Sequence, residues 1–481
     1  MRRWGILLLA VLLGVGYLLP TYRAWEQAQG VIPPGVTLAG QAINGRTLGE
    51  VETQLEALFS DPVAVYYDEE RILLRPQEIG FHVKTRVMIG QARAIGSQVY
   101  MVRAFLLQLL GLPLKPQDVP LIVEWDPKRL DAWLEEVAKR YDRPPREPSL
   151  VIGNDKTHWA PGAPGKRLNK QASIPPIVAA LKQVGDERVA HLVVEEQPAP
   201  RASIQVLQKA LRARLEAFPG VAAAFVRLLP TGEEANVDAN TIPFSGMSTM
   251  KIPILLMVYK DMSTLPQGEL RDWMRETITS TTGAGNYTAN RVLAFLGKGD
   301  AVKGADRVTT FLRSLGLENS FIIAPYDWRK PPPKTVRTPA NTHPSQRTSP
   351  DPLVQTTPEE ISLVLGMVVS CAEGKGTLLA AYPDEFTPAE CRDLLSLLAQ
   401  NPVTDALLPA GLPPGTHYVH KHGYAPDTHG DVAAVWGPEG PYVISLFLST
   451  PDQWLVWDIS NPTFIDISRI TWEFFQMRAG K

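Results

Sequence analysis

The chain has 481 residues, of which 44% are hydrophobic and 20% charged, and its formal net charge is −2. This length predicts two or three domains, and the composition is that of folded globular protein rather than a disordered or collagen-like chain. A near-neutral charge with no basic stripe argues against a nucleic-acid partner.

In chain order, Arg2 and Arg3 precede an unbroken apolar or glycine run over residues 4–19, closed by Pro20. The run is longer than most signal-peptide cores and shorter than a full membrane span. No small-x-small cleavage site follows in Thr21-Tyr22-Arg23-Ala24-Trp25. Residues 1–24 therefore read as an export signal kept as a transmembrane anchor, with its basic end cytoplasmic. The rest of the chain is expected on the extracytoplasmic face of the cell membrane, or secreted if the segment is cleaved.

Residues 30–199 alternate short strands and small helices, the pattern of an α+β region. A helix is predicted over residues 48–59, a strand over 63–67, a second helix over 127–140 and a strand over 191–195. Two related units, about 30–115 and 120–199, fit this order. By itself the region reads as a stalk that holds the second domain away from the membrane. Pro198-Ala199-Pro200 marks a boundary. Beyond it, Ile204, Leu207, Leu211 and Leu215 fall at helical spacing. Hairpins are predicted around Thr231-Gly232 and around residues 437–441, and a last helix over 465–477. Strands at both ends of residues 200–481, with helices between, predict one antiparallel sheet closed by both ends of that domain.

Chemistry concentrates at Ser248-Thr249-Met250-Lys251, just ahead of an apolar run. If a helix begins there, Lys251 lies one turn along on the face of Ser248. A neutral lysine amine can take the proton that makes a serine hydroxyl nucleophilic. The Ser-x-x-Lys spacing occurs once in the chain. Cys371 and Cys391 are the only cysteines, and in an exported protein they are candidates for a disulfide. Four of the eight histidines lie between residues 417 and 429. His420, His422 and His429 could approach one another, but no helical His pair or nearby carboxylate completes a metal set, so neither metal nor cofactor is assigned.

Residues 200–481 resemble the class A β-lactamase domain of the penicillin-recognising serine hydrolases. The matching pieces run in order: Ser248 and Lys251, then the helix-like segment 386–398, then Lys421-His422-Gly423 in place of a Lys-Thr-Gly strand, and last Gly430-Asp431-Val432-Ala433 with Gly440-Pro441-Tyr442-Val443. The resemblance implies a multidomain protein with a C-terminal α/β fold, an antiparallel sheet with a helical subdomain, after the α+β region. It implies Ser248 as nucleophile, Lys251 as base and Lys421 as a second cation that binds a substrate carboxylate and lowers the pKa of Lys251. Asn286, His422 and Gly423 would bind substrate. The backbone N–H groups of Ser248 and Tyr424 would form the oxyanion hole. The family's Ser-x-Asn motif is imperfect, because ungapped alignment on Asn286 puts Ala284 where the serine belongs. Ser280, Thr281 or Thr282 could supply the hydroxyl, and Ser280 is preferred. The family's deacylating loop glutamate is missing: between Glu318 and Glu359 the only acids are Asp327 and Asp351. The implied partner is a β-lactam or a D-Ala-type peptidoglycan peptide, handled by a β-lactamase-like or D,D-peptidase-like enzyme. A different class, a non-catalytic envelope protein binding wall peptide, stays open. The opening PPGVTLAGQAINGRTLGE and the later GAPGKRLN resemble the peptidoglycan-binding module found ahead of VanW-like and transpeptidase-like domains.

Overall fold

A computed structural model of the chain describes residues 2–153, 157–262, 264–344 and 347–480, with backbone only for residues 2–11. The chain divides into two compact units, Met1–Arg146 with Ala163–Ala199, and Glu147–Gly162 with Pro200–Lys481.

In the first unit the helix Leu48–Phe59 opens on a capping box, with Thr47 and Glu50 each satisfying the other's backbone N–H. The strands Val63–Tyr67 and Glu70–Leu74 pair antiparallel, and Val189–His191 adds in parallel. Val51, Leu55, Val65, Leu74, Leu130, Leu134, Ile177 and Leu181 share one core, so both halves of residues 30–199 contribute to it. The strand expected over 191–195 is instead two short ones, Val189–His191 and Val194–Gln197, with different partners. Buried Arg188 donates to the carbonyls of Phe59, Leu181 and Gln183.

The first helix runs Arg2–Ala28. Among the described residues, no helix is long and apolar enough to cross a membrane. Of the apolar run over residues 4–19, on which the expected transmembrane segment rests, side chains are described for residues 12–19 alone. The first eleven residues of that expectation lie outside the described side chains.

In the second unit five antiparallel strands run in the order Glu234–Val237, Val221–Leu228, Gly440–Ser449, Thr428–Gly437 and Tyr418–Tyr424. The helices Ile204–Leu215 and Trp457–Arg478 cover one face through Leu207, Leu211, Phe464, Ile467 and Phe474. Pro358–Ala372 covers the other through Val364, Leu365 and Val368. Cys371 and Cys391 are bridged, tying Pro358–Ala372 to Pro388–Leu398. The helix Lys251–Asp261 is buried from 251 to 259; a helix apolar all round belongs in a core. The last helix begins eight residues before its expected start at 465. A hairpin, Ser149–Ile152 with Thr157–Ala160, also belongs to this unit. Its Trp159 donates to the Ile470 carbonyl at 3.2 Å and packs against Phe474.

Candidate active site

Ser248 lies in a short 3-10 turn, Met247–Met250, leading into Lys251–Asp261. Every residue from 242 to 259 is buried except Ser248, which is partly exposed. The turn forces Met247 to a φ of +48°, a left-handed conformation that costs a non-glycine residue about 1–3 kcal/mol and concentrates at functional sites. Lys251, 3% exposed, donates to Asn286 Oδ1 at 3.0 Å. Burial and then Lys421 pull its pKa down to about 7.

Lys421, His422 and Gly423 lie on the edge strand Tyr418–Tyr424. A Cβ on Gly423 would fall 2.8 Å from the Ser248 nitrogen and 2.7 Å from Met247 Cβ. Only glycine lets the strand pass that close to the turn. Ala425 and Thr428 exchange backbone hydrogen bonds, and Trp436 donates to the His417 carbonyl. Antiparallel pairing alternates, so the N–H groups of His422 and Tyr424 point to the open edge of the sheet. Lys421 is buried and donates to the His422 carbonyl at 3.1 Å; burial lowers its pKa to about 8, against the opposing pull of Asp431. Burial and then Lys421 drive His422 to about 3, so its ring is neutral at working pH. Its Nδ1 faces the Asn401 amide at 3.4 Å, and the same amide holds the His420 carbonyl at 3.1 Å.

The remaining histidines are engaged elsewhere. His420 Nδ1 pairs with Asp431 at 3.0 Å in the interior, and His429 Nδ1 with Ser460 Oγ at 2.7 Å. Among the described residues, no group of three His, Cys, Asp or Glu is placed to hold a metal ion.

Ser280 ends the helix Gly268–Thr279, and its Oγ bonds to Thr282. It borders the site through Gly285: a Cβ there would lie 3.2 Å from Ser280 Cβ and 3.3 Å from Lys251 Nζ. Gly285 thus leaves the space in which Lys251 and Ser280 approach.

Three residues outside the sequence-based set complete the corner. Tyr326 Oη donates to the Met247 carbonyl at 2.9 Å, and its ring centroid lies 5.2 Å from Lys251 Nζ. Asp327, at a φ of +62°, receives the Asn286 amide at 3.4 Å. Asn401 organises the edge strand as described. Asp327 carried a sequence signal as one of two acids in the loop; nothing local marked Tyr326 or Asn401. Asp351, the other acid, accepts from Leu353 N, and its own N–H donates to Ser245 Oγ.

Residues 273–475 match a family model described as the beta-lactamase enzyme family. Residues 62–190 match a model for a peptidoglycan binding domain. Among solved structures, the chain is similar to a PBP-A mutant in an acyl-enzyme complex with penicillin G, at 20% identity and a TM-score of 0.42 over 58% of this chain and 100% of that one. It is also similar to an ancestral class A β-lactamase, at 20% identity and 0.41 over 55% and 98%, and to a β-lactamase from Xanthomonas campestris, at 17% and 0.42 over 56% and 98%. No curated protein matches the chain.

Proposed function

We propose that this protein is an exported serine hydrolase, acylated on Ser248 by β-lactams and slow to release the acyl group. The observation that carries the reading is Lys251: a buried amine with a pKa near 7, one residue past the turn that exposes Ser248. At neutral pH much of it is unprotonated and able to act as a base.

Ser248 Oγ gives its proton to Lys251 Nζ as it bonds to the carbonyl carbon. The oxyanion that forms is met by the N–H groups of Ser248 and Tyr424. The C–N bond then breaks, the leaving nitrogen takes the proton from Lys251, and an ester remains on Ser248 until water cleaves it. Lys421, Asn286 and His422 position the substrate: Lys421 as a cation for its carboxylate, His422 as a neutral hydrogen-bonding ring. With no glutamate in residues 319–358, the deacylating water lacks the family's base. That absence also favours a second reading, a D,D-peptidase-like enzyme acting on D-Ala-type wall peptide, which the peptidoglycan-binding match at 62–190 suits. The basic and apolar start of the chain supports action outside the cytoplasm.

Incubation of the full chain with a fluorescent penicillin tests the proposal. A gel-stable adduct of the expected mass, absent in Ser248→Ala, is expected, with an adduct lifetime far longer than nitrocefin turnover by an efficient β-lactamase allows. A wild-type protein that forms no adduct and turns over neither nitrocefin nor a D-Ala-D-Ala peptide would leave the non-catalytic binding reading in its place.

A further inference from the structure

We infer that Tyr326 is a positioning residue that aims the Ser248 N–H at the oxyanion, an inference that rests on the acyl-transfer reading above. The Met247 carbonyl and the Ser248 N–H are opposite ends of one peptide group. That group is planar, so holding its oxygen sets the direction of its hydrogen. Tyr326 Oη holds the oxygen at 2.9 Å. The peptide needs such a restraint because Met247 sits at a φ of +48°, where a methionine does not rest unaided. A hydroxyl donating to the carbonyl also draws electron density toward the oxygen and makes the N–H a stronger donor.

Tyr326 is itself clamped. The Asn290 side chain accepts from the Tyr326 N–H at 2.7 Å and donates to the Tyr326 carbonyl at 2.9 Å. Asn290 lies one turn beyond Asn286 on the helix Ala284–Leu296, and Asn286 receives the Lys251 amine. One helix therefore orients the base through Asn286 and the oxyanion donor through Asn290, Tyr326 and Met247. Gly423 bounds the same peptide from the strand side. A chain of contacts with no reacting atom in it thus controls the angle of a donor whose charge partner exists only in the transition state.

Tyr326→Phe in the full chain isolates the hydroxyl, since the ring stays against Lys251. Removing one oxyanion donor costs about 10²–10³ in rate; misaiming one is expected to cost about 10–100-fold in the acylation rate constant for a fluorescent penicillin. Affinity for a phenylboronic acid, whose tetrahedral adduct places an oxygen where the oxyanion forms, should fall by a similar factor. The saturation constant of the initial complex and the pH profile of acylation should not move, whereas a general loosening of the site would move both. Asn290→Ala, which frees the Tyr326 backbone, should lower acylation in the same sense, and thermal melting reports whether either variant remains folded. Acylation and boronate affinity within about twofold of wild type in a folded Tyr326→Phe protein overturn this inference alone. A wild-type protein that no penicillin acylates overturns the acyl-transfer reading and this inference with it.

Discussion

The turn that carries Ser248 and the loop that follows Tyr326 border the same site and are built in opposite ways. From 242 to 259 the chain is buried apart from its one serine, and the base, its asparagine partner and the edge-strand glycine are all in contact range. From 329 to 337 every residue but the half-buried Val336 is exposed, and prolines replace apolar residues. Yet this loop is not loose at its far end: Ala340 donates to Asn319 Oδ1, and Gln355 Nε2 to the Asn319 carbonyl and Thr338 Oγ1. Buried Glu360 receives Asn319 and Ser320, so that carboxylate is spent on structure. In the proposed reaction the contrast separates two halves: the groups assigned to forming the ester lie in a buried core, whereas the glutamate that would help break it is absent from a loop that is nonetheless well anchored.

The comparison breaks most directly at Gly423. Gly423→Ala puts a methyl 2.8 Å from the Ser248 nitrogen, and is expected to reduce penicillin acylation by about 10²-fold or more, the scale of a lost oxyanion donor, in a protein that still melts cooperatively. Acylation near the wild-type rate would show that strand and turn are not held in this register.

The pH dependence is the next largest effect. Lys251, at about 7, must lose its proton to act as base, so acylation should climb as pH rises through 7. Lys421, at about 8, must keep its proton to bind a carboxylate, so the rate should fall as pH rises through 8. A narrow bell centred between these values is expected for the second-order acylation rate, with the two limbs belonging to the coupled pair rather than to either lysine alone. Since His422 is pulled to about 3, no limb should appear near 6.

Reduction of the Cys371–Cys391 bridge, or a Cys371→Ala/Cys391→Ala double change, should cost about 3 kcal/mol of unfolding free energy for a loop of this size, measured by chemical denaturation. Acylation of the still-folded protein should persist, because neither sulfur lies in the corner. The smallest effect is expected in the loop itself: Arg337→Ala, at an exposed position with no catalytic contact, should leave the acylation rate within about twofold. A tenfold loss there would mean that the loop takes part in forming the ester, and the division drawn above would fail.

Much of the C-terminal domain was legible because its signals are local. Ser248 and Lys251 are three apart, the helix over 204–215 repeats its leucines at helical spacing, and both hairpins announce themselves by Gly or Pro turns. What stayed hidden is long-range. Tyr326 reaches Met247 across 79 residues, and Asn401 organises His420 and His422 through its side-chain amide, which no periodicity encodes. Ser280 was read from the imperfect Ser-x-Asn motif; its Oγ bonds within its own turn. The apolar start was read as an anchor from its uninterrupted run, half of which lies outside the described side chains.

The hairpin at 149–160 has a practical consequence for anyone cutting this chain. The C-terminal unit is discontinuous in sequence: its last helix is completed by an indole and two strands supplied some forty residues before Pro200. A fragment beginning at Pro200 would leave the Phe474 surface bare and the Arg469 guanidinium without its Thr157 carbonyl. Poor solubility of such a fragment would then report a missing piece of its own surface, not a failure of the active-site fold.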